Sequence, residues 1–211
     1  MPVKNDREYR NLTEFRAVDF DDDQKQRIVE GYASTFDEPY TLFSGPDLVY
    51  EEVVDRGAFD NTDMSDVIFQ YDHAGRVFAR NRNNTLEIGV DDRGLLIKAD
   101  LGGTEIGREL YEEIRGGYTD KMSFGFTVDG ETEERIEREG DPLLIRRHIT
   151  SVKKLYDVSA VSIPANNATE ISVRNLTDGV IEKMQAERLE REQMELRRRK
   201  LMLKLKMEGQ K

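Results

Sequence analysis

The sequence predicts an α+β domain built mainly from antiparallel strands, with one central helix and a long helical C-terminal tail. Three observations carry this reading. Short runs dense in Val, Ile, Tyr and Phe recur along most of the chain, punctuated by Gly, Pro and Asp clusters. A single internal segment, 104–115, has helical periodicity behind a capping residue. After Gly179, residues 180–207 hold no Gly or Pro and are rich in Glu, Lys, Arg, Leu, Met and Gln, which are strong helix formers.

Taken in order, the alternating patch 12–18 reads as a first strand, and Asp21-Asp22-Asp23 as a turn after it. Residues 27–36 form a second strand closed by Pro39, and 37–47, with Pro39, Gly45 and Pro46, a loop. The next strand is 48–54, followed by a short element at 57–60. The compact apolar run 67–71 reads as a buried strand that delivers His73 at its end. Segments 86–90 and 95–101, joined by Asp91-Asp92-Arg93-Gly94, are expected to form a hairpin. In the helix 104–115, Thr104 is the cap, Glu105 lies in the first turn, Ile106, Leu110, Tyr111 and Ile114 share one stripe, and Gly116 stands where the helix should end. Residues 122–128 are then a strand, and the highly charged 129–141 a protruding loop. Segments 143–152 and 155–163 read as two strands stopped by Pro164, and 171–173 as a short last one. The apolar positions of the tail are unevenly spaced, which argues for an exposed helix and against a regular coiled coil.

The 211 residues, 37% hydrophobic and 36% charged, suit one domain with an appendage (1–175 and 176–211) better than two full domains. No apolar run approaches the roughly 20 residues that cross a bilayer, and Met1 to Arg7 lacks the apolar stretch of a secretory signal. The absence of cysteine excludes disulfides, thiolate metal sites and thiol nucleophiles, and two histidines exclude a histidine-rich metal site. No calcium-loop motif is present, and no cofactor is expected. A cytoplasm-like compartment is expected. The net charge of −11 divides into −15 over residues 1–180 and +4 over 181–211. An acidic body argues against nucleic-acid binding by the main domain. The basic tail reads either as a solvated helix of mixed charge or as a docking segment. Its stretch 196–206 also has the apolar and basic residues of an interfacial helix, though a membrane partner is the weaker expectation.

The chemistry concentrates at few positions. Ser123 lies near the start of the strand that follows the helix, with Phe124 and Phe126 on one face and Ser123 and Gly125 on the other. Gly125 would leave room for a substrate backbone. A serine needs a base to become a nucleophile, and imidazole suits that role near neutral pH. The candidates are His73 and His148. Asp157, set among Tyr, Val and Ala, calls for a partner: an imidazole it would orient, or one of Arg146, Arg147 and Lys154. Lys121 or Lys154 as base would need a buried neutral amine. On the bland alternative, Ser123 is a strand serine bonded to a neighbour and His73 a surface loop residue.

Five blocks together resemble the prohead proteases of tailed bacteriophages: Gly31-Tyr32-Ala33-Ser34-Thr35-Phe36, Arg56-Gly57-Ala58-Phe59, Tyr71-Asp72-His73, Lys121-Met122-Ser123-Phe124-Gly125-Phe126, and Leu155-Tyr156-Asp157-Val158-Ser159-Ala160-Val161 followed by Pro164-Ala165. The resemblance spans about 12–175, in the family's block order. It implies a barrel-like sheet related to herpesvirus assemblin, with Ser123 as nucleophile and His73 as general base. Asp157 would be the third member where the family more often has glutamate; His148 is the alternative, because the herpesvirus relatives use a second histidine. The resemblance further implies a serine endopeptidase that cleaves the scaffolding segment of the major capsid protein, and itself, inside the assembling procapsid in the host cytoplasm. Other procapsid components and self-association are implied as further partners. A capsid assembly or scaffolding protein that keeps the fold without catalysis, docking through its tail, is the alternative reading.

Overall fold

The computed structural model describes residues 7–18, 27–138, 140–162, 193–194 and 197–199. The chain divides into two compact units, 1–170 and 171–211. Among its described residues, the first holds ten strands and one α-helix: β1 Glu8–Ala17, β2 Ile28–Thr35, β3 Tyr40–Ser44, β4 Leu48–Val54, β5 Ile68–Tyr71, β6 Ala74–Arg80, β7 Leu86–Val90, β8 Gly94–Asp100, α1 Glu105–Arg115, β9 Lys121–Ile136 and β10 Leu143–Val161. In the second, the described residues 193–194 and 197–199 are helical. The expected strand 171–173 and most of the expected helix 180–207 lie outside the described residues.

The strands join in the order β3-β4-β10-β9-β1-β2-β8-β7, with β5 and β6 attached to β10 as a branch. Among the described residues this path does not return on itself, so the sheet is open and the barrel-like expectation is corrected. The ladders are antiparallel except where β10 runs parallel to β4 along its first half and to β5 along its second. That division follows from the length of β10, whose 19 residues serve two different neighbours on one edge. One apolar cluster unites Val29 and Ala33 of β2, Leu95, Ile97 and Ala99 of β8, Leu110, Tyr111 and Ile114 of α1, Met122, Phe124 and Phe126 of β9, and Leu155, Val158 and Ala160 of β10. The Phe124 and Phe126 rings stack at 4.6 Å. Thr104 caps α1 by accepting a bond from the Gly107 amide at 3.1 Å. Gly116 closes the helix in right-handed geometry, and the left-handed turn falls one residue later, at Gly117 with φ of 73°.

Three further expectations are corrected. Residues 37–47 contain β3, paired with β4. Residues 129–141 are not a loop throughout, because β9 continues to Ile136. The two strands expected over 143–163 are one, β10, with register shifts between Ile149 and Asp157 where the sequence breaks at Lys153-Lys154. The charged stretch of β9 holds as a ladder because its charges pair with β10: Arg146 lies 3.9 Å from the Glu134 carboxylate, and Arg147 donates to Glu131 at 2.8 Å.

A buried ionic cluster fixes β1 against β4 and β10. Glu52, fully enclosed, accepts from Arg10 Nη2 at 2.8 Å, Arg147 Nη1 at 2.8 Å and the Tyr40 hydroxyl. Arg147 also donates to both Glu8 oxygens, at 2.6 and 2.9 Å. Burial works against the Arg10 charge, but the charge and hydrogen bonds of Glu52 outweigh it and hold the guanidinium protonated. Burial together with the Glu52 charge pushes the Tyr40 phenol well up. Removing one member of such a cluster costs about 3–5 kcal/mol, since the others stay buried without a counter-charge.

Candidate active site

Strand alternation sorts β9 into two faces. Met122, Phe124 and Phe126 enter the core, so Ser123 and Gly125 point the other way. On the neighbouring strand, Ser159 stands opposite Ser123 and Asp157 opposite Gly125. Asp157 reaches that face because of a bulge: the register slips between Leu155 and Asp157, making Tyr156 the extra residue. Without the slip, Asp157 would share a face with Leu155, which is buried in the core. Arg7 stacks its guanidinium on the Tyr156 ring, 3.7 Å from the centroid.

His73 arrives from β5, which runs beside β10 with Gln70 opposite Ser159. Tyr71 and Ala74 pair across a two-residue turn whose central residues, Asp72 and His73, have φ of 48° and 54°. Such a left-handed pair is the type I′ hairpin geometry normally given to Asn-Gly, and each residue with a Cβ costs roughly 1–2 kcal/mol there. Asp72 offsets this by binding the end of β10: its amide donates to Ala160 O at 2.9 Å, and its carboxylate accepts from the Ser162 amide at 2.9 Å and hydroxyl at 2.8 Å. The turn thereby places the imidazole over the β9–β10 face.

There His73 Nε2 lies 2.5 Å from Ser123 Oγ, and His73 Nδ1 lies 2.5 Å from Asp157 Oδ1. Ser159 Oγ donates to the same Asp157 oxygen at 2.9 Å and sits 3.3 Å from His73 Nδ1. The Tyr9 ring tilts against the imidazole with centroids 4.3 Å apart. Ser123 has no exposed surface, while the side chains of His73 and Asp157 are 15% and 4% exposed. A Cβ on Gly125 would stand 2.3 Å from Asp157 Oδ2 and 2.7 Å from Tyr9 Cε1. Gly125 thus makes room for the carboxylate and the Tyr9 ring, and not for a substrate backbone as the sequence suggested.

The other candidates lie elsewhere. His148 is on the first half of β10, opposite Val53, and bonds Asp55 at 2.8 Å through Nδ1. Arg146 and Arg147 are engaged with Glu51, Glu52, Glu8 and Glu131, and Lys154 with Asp63 at 2.6 Å. The hydrogen bond to Asp63 also raises the Lys154 amine, which keeps it protonated and unsuited to act as a base. Lys121 begins β9, two residues before Ser123. No cluster able to hold a metal ion is present among the described residues. Sequence reasoning passed over Ser159, Tyr9, Asp72 and Ser162. Ser159 was within reach of a period-two count from Asp157; Tyr9 needed the β1–β9 register, in which it faces Gly125.

A serine hydroxyl, an imidazole and a carboxylate in one hydrogen-bonded row can activate the hydroxyl for acyl transfer, and such rows are recognised by geometry. No curated protein and no solved structure matches this chain. A protein-family profile does, over residues 13–185, and its span includes every member of the row. Its description is caudovirus prohead serine protease, and on a match over most of its length the chain belongs to that family of serine peptidases.

Proposed function

We propose that this chain is the endopeptidase of procapsid maturation in its phage, with Ser123 as nucleophile, His73 as general base and Asp157 as the carboxylate that orients His73. The single observation carrying the residue assignment is the unbroken row Asp157–His73–Ser123, with both contacts at 2.5 Å. With Nδ1–H donated to Asp157, Nε2 is left to accept the Ser123 proton. The oxygen then attacks the scissile carbonyl, and His73 returns the proton to the departing amine. Water, deprotonated by His73 in turn, releases the acyl group and restores Ser123.

The substrates that fit this context are the scaffolding segment of the major capsid protein and the protease itself, cut within the closed shell in the host cytoplasm. The tail from 176, net basic where the rest of the sequence is net acidic, supports a docking role toward an acidic procapsid surface. The experiment is co-expression with the capsid protein encoded beside it, scored for a shortened capsid chain. Wild type should shorten it and Ser123→Ala should not. One observation favours the second reading, a non-cleaving assembly protein: Ser123 is fully enclosed, so a substrate must first displace what covers it. A capsid chain of full length with both proteins would favour that reading.

A further inference from the structure

We infer that Ser159 is a positioning residue of this site, acting through Asp157 and His73 to hold the imidazole in its reactive tautomer. The inference rests on the proposed roles of Ser123, His73 and Asp157. Ser159 is fully buried, on the strand and face that carry Asp157, directly opposite Ser123. Its hydroxyl has one proton and donates it to Asp157 Oδ1 at 2.9 Å. With the proton so used, the Oγ lone pairs face His73 Nδ1 at 3.3 Å. The imidazole nitrogen therefore meets two acceptors, the carboxylate oxygen at 2.5 Å and this hydroxyl. A bare Nδ1 would set lone pair against lone pair at both, so the arrangement favours the proton on Nδ1 and leaves Nε2 free for Ser123.

The short Asp157 side chain is constrained from both sides. Asp157 has a single rotatable bond beyond Cβ, and its Oδ2 side is bounded by the space at Gly125. The Ser159 bond fixes the rotation of the carboxylate from the Oδ1 side. Removing it leaves the triad atoms present but less constrained, a defect of orientation and not of composition. Losses of supporting hydrogen bonds of this kind typically cost about 10–100-fold.

The test compares wild type with Ser159→Ala and Ser159→Thr on a peptide substrate, with thermal unfolding as the check on folding. Ser159→Ala should lower kcat roughly tenfold or more at unchanged KM. Ser159→Thr, which keeps the hydroxyl, should recover most of it. Because the threonine methyl enters a closed site and can disturb folding, a second readout is independent of turnover. In the Ser123→Ala background, the low-field proton NMR signal of His73 Nδ1–H should be sharp with Ser159 and broadened or moved upfield in Ser159→Ala. Wild-type kcat with an unmoved signal in Ser159→Ala overturns the role of Ser159. Retained cleavage by Ser123→Ala instead overturns the triad reading itself, so the two failures are distinguishable.

Discussion

Gly125→Ala should disable the enzyme without unfolding it, by moving one carboxylate. The added Cβ would stand 2.3 Å from Asp157 Oδ2, 3.1 Å from Asp157 Cγ and 2.7 Å from Tyr9 Cε1. Ordinary contacts begin near 3.4 Å, so the overlap with the carboxylate exceeds 1 Å. The backbone is held by ladders to β1 and β10 on either side, which leaves the side chains to give way. Asp157 is the nearer obstacle, and turning it aside breaks its 2.5 Å contact with His73. Overpacking of this kind costs about 1–3 kcal/mol of stability. Loss of the orienting carboxylate costs on the order of 10⁴ in kcat where a triad operates. We therefore expect kcat to fall by roughly 10²–10⁴ while thermal unfolding stays cooperative. The assay is steady-state cleavage of a peptide spanning a mapped site, with Gly125→Ala and Gly125→Ala/Tyr9→Ala side by side. The double variant relieves only the Tyr9 contact and should stay inactive. Activity within a few-fold of wild type in the single variant, or full rescue in the double, would refute the view that this glycine exists to seat Asp157.

Other outcomes follow from the same geometry. Asp157→Asn should lower kcat by about 10⁴, while His148→Ala, which removes a partner of Asp55, should stay near wild type; the opposite ranking would make His148 the third member. Burial alone would raise the Glu8 carboxyl, but the hydrogen bond from Arg147 and the charges of Arg10 and Arg147 hold it below its ordinary 4.5. The stability it confers is complete above about 4.5 and is lost as pH falls through its lower folded value. The melting temperature should accordingly drop on acidification from pH 5 to 3, and Glu8→Gln should start lower and fall less; parallel curves would contradict this. A chain ending at Asn175 should fold and cleave peptide yet enter procapsids poorly, as judged by its amount per purified particle. Normal packaging would remove the recruitment role of the tail.

Local chemistry made much of this domain legible. Alternation marked the β9 face that carries Ser123, and Thr104 with the stripe Leu110, Tyr111 and Ile114 marked α1. The turn Asp91-Asp92-Arg93-Gly94 set the β7–β8 hairpin. What escaped depended on partners remote in sequence. Residues 129–136 look like a loop because they are charged, and they become strand because Arg146 and Arg147 across the ladder neutralise Glu134 and Glu131. The Tyr156 bulge is invisible to a period-two count, yet it decides that Asp157 leaves the core face for the one that carries Ser123. The ionic cluster around Glu52 joins residues some 42 and 95 positions apart, beyond any local pattern. His73 is one of only two histidines, but its place over Ser123 depends on two consecutive left-handed residues, which nothing in Tyr71-Asp72-His73 announces.

The most direct test of the account is reaction of the folded chain with a fluorophosphonate, followed by peptide mass mapping. An activated serine should carry the phosphonyl group at Ser123 and nowhere else, and the adduct should vanish in His73→Ala, whose Ser123 keeps its hydroxyl but loses the imidazole 2.5 Å away. A modified Ser123 in His73→Ala at the wild-type rate, or an unmodified Ser123 in a preparation that cleaves peptide, would contradict the claim that these two residues form the catalytic pair.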